Sequence, residues 1–83
     1  MTQLARTPKQ VGAIMRRQRQ LANLTQTELG RRAGLRQATI SGIESGQDAT
    51  RIGTICDLLA ALDLEVTIAP RSKSSRSDIE NIF

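Results

Sequence analysis

Apolar residues recur at helical spacing over most of the 83-residue chain and predict a series of short helices. The first begins after Thr7 and Pro8, a helix-capping residue followed by a favoured first helical position, and ends near Asn23. The last follows Thr50, which we expect to cap it. Its apolar face is wide enough to be all core or to leave surface for a second subunit. The apolar positions are Val11, Ile14, Met15, Leu21 and Ala22 in the first helix, and Ile52, Ile55, Cys56, Leu58, Leu59 and Leu62 in the last.

Two further helices joined by a tight turn are predicted between these, within residues 26–45. Thr25 and Glu28 have the spacing of a capping box, in which each side chain accepts a backbone N–H at the helix start. Gly34 supplies the left-handed residue that ends the first of these helices. Gly30 is small enough for a close helix crossing. The order of these features indicates a helix-turn-helix.

The second helix of this motif has an inward side formed by Ile40 and Ile43, and we place its C-cap at Gly46. Its outward side carries small and amide side chains, where an ordinary solvated face carries Lys and Glu. Amides hydrogen-bond adenine, and methyl groups contact the methyl group of thymine. This composition favours DNA binding over a hairpin with a purely structural role. The outward residues are Gln37, Ala38, Thr39 and Ser41.

The hydrophobic period changes near the end of the chain. Leu64, Val66 and Ile68 alternate with polar residues and predict a half-buried strand that Pro70 ends. The chain has no second strand candidate, so we expect this strand to pair with that of another copy across a two-fold axis. The alternative is an extended segment that lies on its own domain.

Charge is distributed unevenly along the chain, whose net charge is +4. Residues 1–51 hold nine basic and three acidic residues, a net charge of +6, whereas residues 52–83 hold three basic and five acidic residues, a net charge of −2. The basic half contains the helix-turn-helix, and nucleic acid is therefore a favoured partner.

Several classes of function lack the residues they need. The chain has no His and one Cys, and we expect no metal, no cofactor and no enzyme activity. A single aromatic residue argues against stacking on unpaired bases. The sequence has no apolar segment long enough to cross a membrane, and its one cysteine cannot form an intrachain disulfide. The protein is therefore expected in the cytoplasm. The cysteine lies in an apolar run and is expected in the core.

The segment from the first helix to Gly46 resembles the phage-repressor and Cro (XRE-type) helix-turn-helix family. The resemblance implies a mostly α, lambda-repressor-like fold of four to five short helices plus one C-terminal strand that pairs across a homodimer. It also implies a structural ion pair between Arg19 and Glu44, and phosphate binding at Gln26. Further phosphate candidates are Gln47 and Arg51.

In this family the second helix of the motif enters the major groove. Arg36 and Gln37 stand at its start, and Gln37 is the best candidate for reading adenine. Arg36 is placed to read guanine or to hold a phosphate. Gly42 departs from the family pattern, since several relatives carry a long polar residue there, and one base contact is therefore expected to be missing. The base-contact set is Arg36, Gln37, Ala38, Thr39 and Ser41.

The order of the predicted helices and strand is similar to that of HipB-type antitoxins, and the sequence resembles theirs particularly at residues 37–41 and 64–68. The similarity implies a dimeric repressor that binds an inverted-repeat operator in double-stranded DNA, neutralises a HipA-type serine/threonine kinase toxin and regulates its own operon. Two alternatives stay open, a stand-alone XRE-type regulator without a toxin partner and a protein-interaction module whose basic face binds an acidic partner.

The expected organisation has three parts. Residues 1–6 form a flexible N-terminus, residues 7–69 the DNA-binding and dimerisation domain, and residues 70–83 a flexible tail. The end of the tail regains apolar side chains, which are candidates for a partner contact or for docking on the domain itself. They are Ile79, Ile82 and Phe83.

Overall fold

The structure, a computed structural model, describes residues 3–71 and contains four helices in that range. These are α1 (Pro8–Leu21), α2 (Gln26–Ala33), α3 (Gln37–Glu44) and α4 (Ile52–Ala61). α3 packs against both α1 and α2, and α4 packs against α2. The mostly helical fold predicted from the sequence is confirmed.

The first two helices begin at the side chains that the sequence indicates. Thr7 Oγ1 accepts the backbone N–H of Gln10 at 3.1 Å, and the Gln10 side chain accepts the backbone N–H of Arg6 at 2.6 Å. At α2 both bonds of the capping box form, because Glu28 N donates to Thr25 Oγ1 at 3.0 Å and Thr25 N donates to Glu28 Oε1 at 2.9 Å. Amide groups that the helix itself leaves without partners are thus satisfied.

Two other helix boundaries differ from the prediction by one residue. The C-cap of α3 is Ser45, and Gly46 follows it with a φ of 93°. The N-cap of α4 is Arg51 rather than Thr50, and no side chain caps this helix. Thr50 lies one residue too early for its hydroxyl to serve as the cap. Gly34 ends α2 in the left-handed conformation, with a φ of 70°, as predicted.

The core lies where α3 packs against α1 and α2, and where α4 packs against α2. Leu29, Ile40 and Leu58 are fully buried, one from each of α2, α3 and α4. Leu24 reaches the core because Asn23, with a φ of 59°, turns the chain back after α1. The other buried apolar residues are Met15, Ile43 and Leu59, and Val11, Ala33, Leu35, Ile55, Ala61, Leu62 and Leu64 pack against the cluster.

Four apolar residues that the helical pattern places inward are exposed. Leu21 and Ala22 lie at the end of α1, where Leu24 takes the core position instead. On α4 the buried side is formed by residues 55, 58, 59 and 62, the spacing of one helix face. Ile52 is 81% exposed, and Cys56 projects away from this face, so the expectation that Cys56 is a core residue is wrong.

Residues 64–71 adopt neither helix nor strand in the single chain. The Leu64 backbone N–H donates to Leu59 O at 2.8 Å and its side chain packs on the core, whereas Val66 and Ile68 are 63% and 93% exposed. A strand forms only with a pairing strand, so dimerisation through residues 64–68 stays a prediction. The tail residues Ile79, Ile82 and Phe83 lie outside the described part of the chain.

Candidate nucleic-acid interface

An ion pair with two hydrogen bonds fixes α3 against α1. Arg19 Nε donates to Glu44 Oε2 at 2.6 Å and Arg19 Nη2 donates to Glu44 Oε1 at 3.0 Å, while Nη1 donates to Leu24 O at 2.7 Å. The two side chains are only 12% and 4% exposed. The hydrogen bonds to Glu44 raise the pKa of Arg19 although burial opposes this, so the guanidinium stays charged. The helix that carries the base-contact candidates is therefore held at its C-terminal end.

A chain of hydrogen bonds runs from this ion pair to the start of α3. Gln26 Nε2 donates to Glu44 Oε1 at 3.1 Å, and Gln26 Oε1 accepts from Gln37 Nε2 at 2.6 Å. A carboxylate can only accept, so Glu44 sets the orientation of the Gln26 amide, and Gln26 in turn requires Gln37 to donate. This linkage was not predicted, although Gln26 and Gln37 share the first position of two adjoining helices.

Most of the predicted DNA contacts lie on α3, at its start, or in the loop that follows it. Arg36, Gln37, Ala38 and Ser41 are exposed at and after the start of α3, and Thr39 is half-buried. A shallow groove joins this helix to the following loop and is lined by Ala38, Thr39, Gln47, Ala49, Thr50, Arg51 and Thr54. The groove thus brings two base-contact candidates together with two phosphate candidates, while Gln26 joins them through its bond to Gln37.

Close backbone approaches explain two glycines beside this surface. A methyl group on Gly30 would lie 2.6 Å from Leu35 O, in the turn before α3. A methyl group on Gly12 would overlap Ile43 O and lie 2.8 Å from Glu44 O, so α1 and the end of α3 meet there. The role of Gly12 was not predicted, because a glycine inside an apolar helical stripe carries no local signal of what crosses it.

Two negative observations apply to the part of the chain described here. Residues 3–71 bring no three His, Cys, Asp or Glu side chains close enough to hold a metal ion. None of the helices in this range has the length and apolar character needed to cross a bilayer.

Comparison with known sequences finds helix-turn-helix proteins. The helix-turn-helix family model matches residues 15–68. Over 74 residues the chain is 34% identical to Antitoxin HipB of Escherichia coli (strain K12), which covers 89% of this chain and 84% of that protein. Over 57 residues it is 40% identical to the uncharacterized HTH-type transcriptional regulator y4dL of Sinorhizobium fredii (strain NBRC 101917 / NGR234), covering 69% of this chain and 29% of that protein.

Solved structures of similar fold include several of HipB. A HipB–O4 20mer complex and a HipA–HipB–O2–O3 complex each match with a TM-score of 0.79 and 34% identity, covering 86% of this chain and 100% of theirs. The restriction-modification controller protein C.AhdI from Aeromonas hydrophila matches with a TM-score of 0.66 and 31% identity, covering 70% of this chain and 84% of that one.

Proposed function

This chain belongs to the helix-turn-helix family and is related to the HipB antitoxins over most of its length, and from this we propose that it is a sequence-specific DNA-binding repressor of the HipB type. The chief support is the start of α3, where exposed amide and small side chains stand on a helix anchored by a buried ion pair. Such a helix fits the major groove and presents groups that distinguish base pairs.

Base reading would centre on Gln37. One N–H of its amide is held by Gln26, which leaves the second N–H and the carbonyl oxygen for a partner. These two groups match N7 and N6 of adenine. Arg36 is exposed beside it and would read guanine or hold a phosphate. The methyl group of Ala38 would meet a thymine methyl group, and Thr39 and Ser41 complete the candidate set.

Phosphate contacts would come from the edges of the same surface. Gln26 opens α2, where the helix N-terminus attracts anions, and its amide keeps one N–H beyond the bond to Glu44. Arg51 is exposed in the loop after α3, and Gln47 lies nearby in the shallow groove. The net charge of +6 on residues 1–51 adds a general attraction to DNA, which salt would weaken steeply.

A two-fold dimer would give the protein two such surfaces. The exposed side chains of Val66 and Ile68, together with Leu64, support pairing of residues 64–68 between copies. Two copies of α3 would then occupy successive major grooves of an inverted repeat, about 10 base pairs apart. A dimer bound at a promoter would block polymerase and thereby repress transcription.

Antitoxin activity is the further part of the proposal. The solved structures similar to this chain include a HipA–HipB–O2–O3 complex. This chain covers 84% of the sequence of Escherichia coli HipB. We therefore assign it a HipA-type serine/threonine kinase toxin as its partner and regulation of the operon that encodes both. A second candidate function, a stand-alone XRE-type regulator, is favoured by the matches to y4dL and to the restriction-modification controller protein.

Titration of duplex DNA from the native promoter tests the DNA-binding assignment. Wild type is expected to bind one inverted repeat in preference to scrambled DNA, and Gln37→Ala is expected to lose about 1–3 kcal/mol of discrimination at one adenine. Gln20→Ala, which removes an exposed glutamine of α1, is the matched control. Unchanged affinity and unchanged base preference in Gln37→Ala would show that the base-reading assignment is wrong.

A further inference from the structure

The side chain of Gln47 occupies the space that a side chain at position 42 would fill. A methyl group on Gly42 would overlap Gln47 Oε1 and lie 3.5 Å from its Cδ and 3.9 Å from its Cβ. All the closest atoms found there belong to Gln47. The amide therefore lies across Gly42 on the outer side of α3, opposite the buried side of Ile40 and Ile43.

The end of α3 holds Gln47 in this place. Gly46, with a φ of 93°, turns the chain back over the helix. The Gly46 N–H donates to Ile43 O at 3.0 Å and the Gln47 N–H donates to Gly42 O at 3.0 Å, the two bonds of a Schellman motif. The backbone of Gln47 is thus fixed directly above Gly42 by the helix terminus.

The Gln47 amide also adjoins the base-contact surface. It lines the same groove as Ala38 and Thr39, and Ala38 lies one helical turn before Gly42 on the same side of α3. The side chain is exposed and its amide makes no hydrogen bond with residues 3–71. Both its donor and its acceptor are therefore available to a ligand that approaches α3 from outside.

We propose that Gln47 reads a base edge in the major groove, in place of the side chain that Gly42 lacks. This inference rests on the proposed DNA-binding function and replaces the phosphate role expected for Gln47. A primary amide presents the donor and acceptor that pair with adenine. Position 42 is five residues beyond Gln37, about 7.5 Å along the helix, so the base lies about two base-pair steps from the one that Gln37 reads.

This assignment is tested by measuring affinity for a set of operators, each of which carries one base-pair substitution. In Gln47→Ala, the penalty for substitution should vanish at one base pair, about two steps from the position read by Gln37, and remain elsewhere. The intact operator should bind about 5- to 150-fold more weakly, the range that one bidentate amide–base pair provides.

Two glycine variants test whether the base preference depends on the position of the Gln47 amide over Gly42. Gly42→Ala places a methyl group where the amide lies and should remove the same base preference as Gln47→Ala. Gly53→Ala adds the same methyl group to α4, where it meets nothing within 4 Å, and should leave every preference unchanged. Circular dichroism checks folding, and Gln47→Ala decides the matter alone if Gly42→Ala is unfolded.

Different results identify different errors. Equal weakening of all operators by Gln47→Ala would assign Gln47 to a phosphate and overturn the inference. Unchanged affinity for all operators would leave the residue without a DNA contact and would overturn it too. A wild-type protein that binds every sequence equally would instead contradict the proposed function, and this inference would fail with it.

Discussion

Among the glycines, Gly12 has the least room for a side chain. Its Cα faces the backbone carbonyls of Ile43 and Glu44, so α1 and α3 touch main chain to main chain. Backbone carbonyls cannot move aside as the end of a flexible side chain can. The same crossing positions Arg19 opposite Glu44, and the geometry of the ion pair therefore depends on this glycine.

Replacing Gly12 by alanine should destabilise the fold. Alanine favours helix over glycine by about 1 kcal/mol, but the methyl group would force α1 away from α3 at a cost of about 1–3 kcal/mol or more. Gly53→Ala makes the same chemical change in open space and is expected to be neutral or slightly stabilising. Urea unfolding of both variants at one protein concentration provides the measurement. A Gly12→Ala variant as stable as Gly53→Ala would contradict the described helix crossing.

The role of a residue was easier to predict from the sequence when it depends on neighbours along the chain than when it depends on contacts between helices. The capping pair Thr25 and Glu28 follows from spacing alone, and the pairing of Arg19 with Glu44 came from family resemblance. The bond between Gln26 and Gln37 depends on how α2 and α3 cross. Gly42 was interpreted as a missing contact because the return of the chain over α3 appears only in three dimensions.

Among the elements, α2 is the one whose stability we expect to depend on pH. The hydrogen bond that the Thr25 backbone N–H donates to the Glu28 carboxylate holds the pKa of Glu28 below its ordinary value, and the neighbouring Thr25 hydroxyl acts in the same direction. A carboxylate whose pKa is lower in the folded state contributes stability above its unfolded pKa, near 4.3, and loses it as the pH falls through the folded value. The capping box of α2 should therefore weaken in acid.

Glu28→Gln tests this titration because glutamine accepts the same backbone N–H without carrying a proton. The stability of wild type relative to Glu28→Gln should be greatest near pH 7 and should decline as the pH is lowered from 5 to 3. Thermal unfolding of both proteins across this range gives the comparison. A difference in stability that stays constant from pH 7 to pH 3 would contradict the assigned role of Glu28.

Helix boundaries were predicted correctly where capping residues and the hydrophobic periodicity agreed. α1 and α2 start at the predicted caps, whereas α4 lacks a side-chain cap and starts one residue later than expected. The helical period alone could not distinguish the buried Leu58 from the exposed Cys56, since both lie within a wide apolar face. The alternating pattern of residues 64–68 indicates a strand whose formation requires a second chain.

Across the whole molecule, charge is separated along the sequence. The helices that carry the candidate DNA contacts lie in the half with a net charge of +6. Within residues 3–71 the two most exposed large apolar residues, Ile52 and Ile68, lie beyond it, although Leu4 and Leu21 are also exposed in the basic half. This separation suits a dimer whose C-terminal halves meet and whose basic halves face DNA. Fold class and family were predictable because both depend on the ordered set of helix signals. Which apolar residues are buried could not be predicted in the same way, because burial depends on how the helices pack.

Affinity purification of the tagged chain from its native host tests whether this protein is a DNA-binding antitoxin. We expect recovery of a kinase-like protein at an equal ratio together with promoter DNA. Gln37→Ala should keep the kinase-like protein and recover less promoter DNA, whereas Gln20→Ala, the matched control, should recover both as wild type does. Recovery of promoter DNA with no protein other than the chain itself would contradict the antitoxin assignment and favour a stand-alone regulator. Recovery of neither partner would contradict both the DNA-binding assignment and the antitoxin assignment.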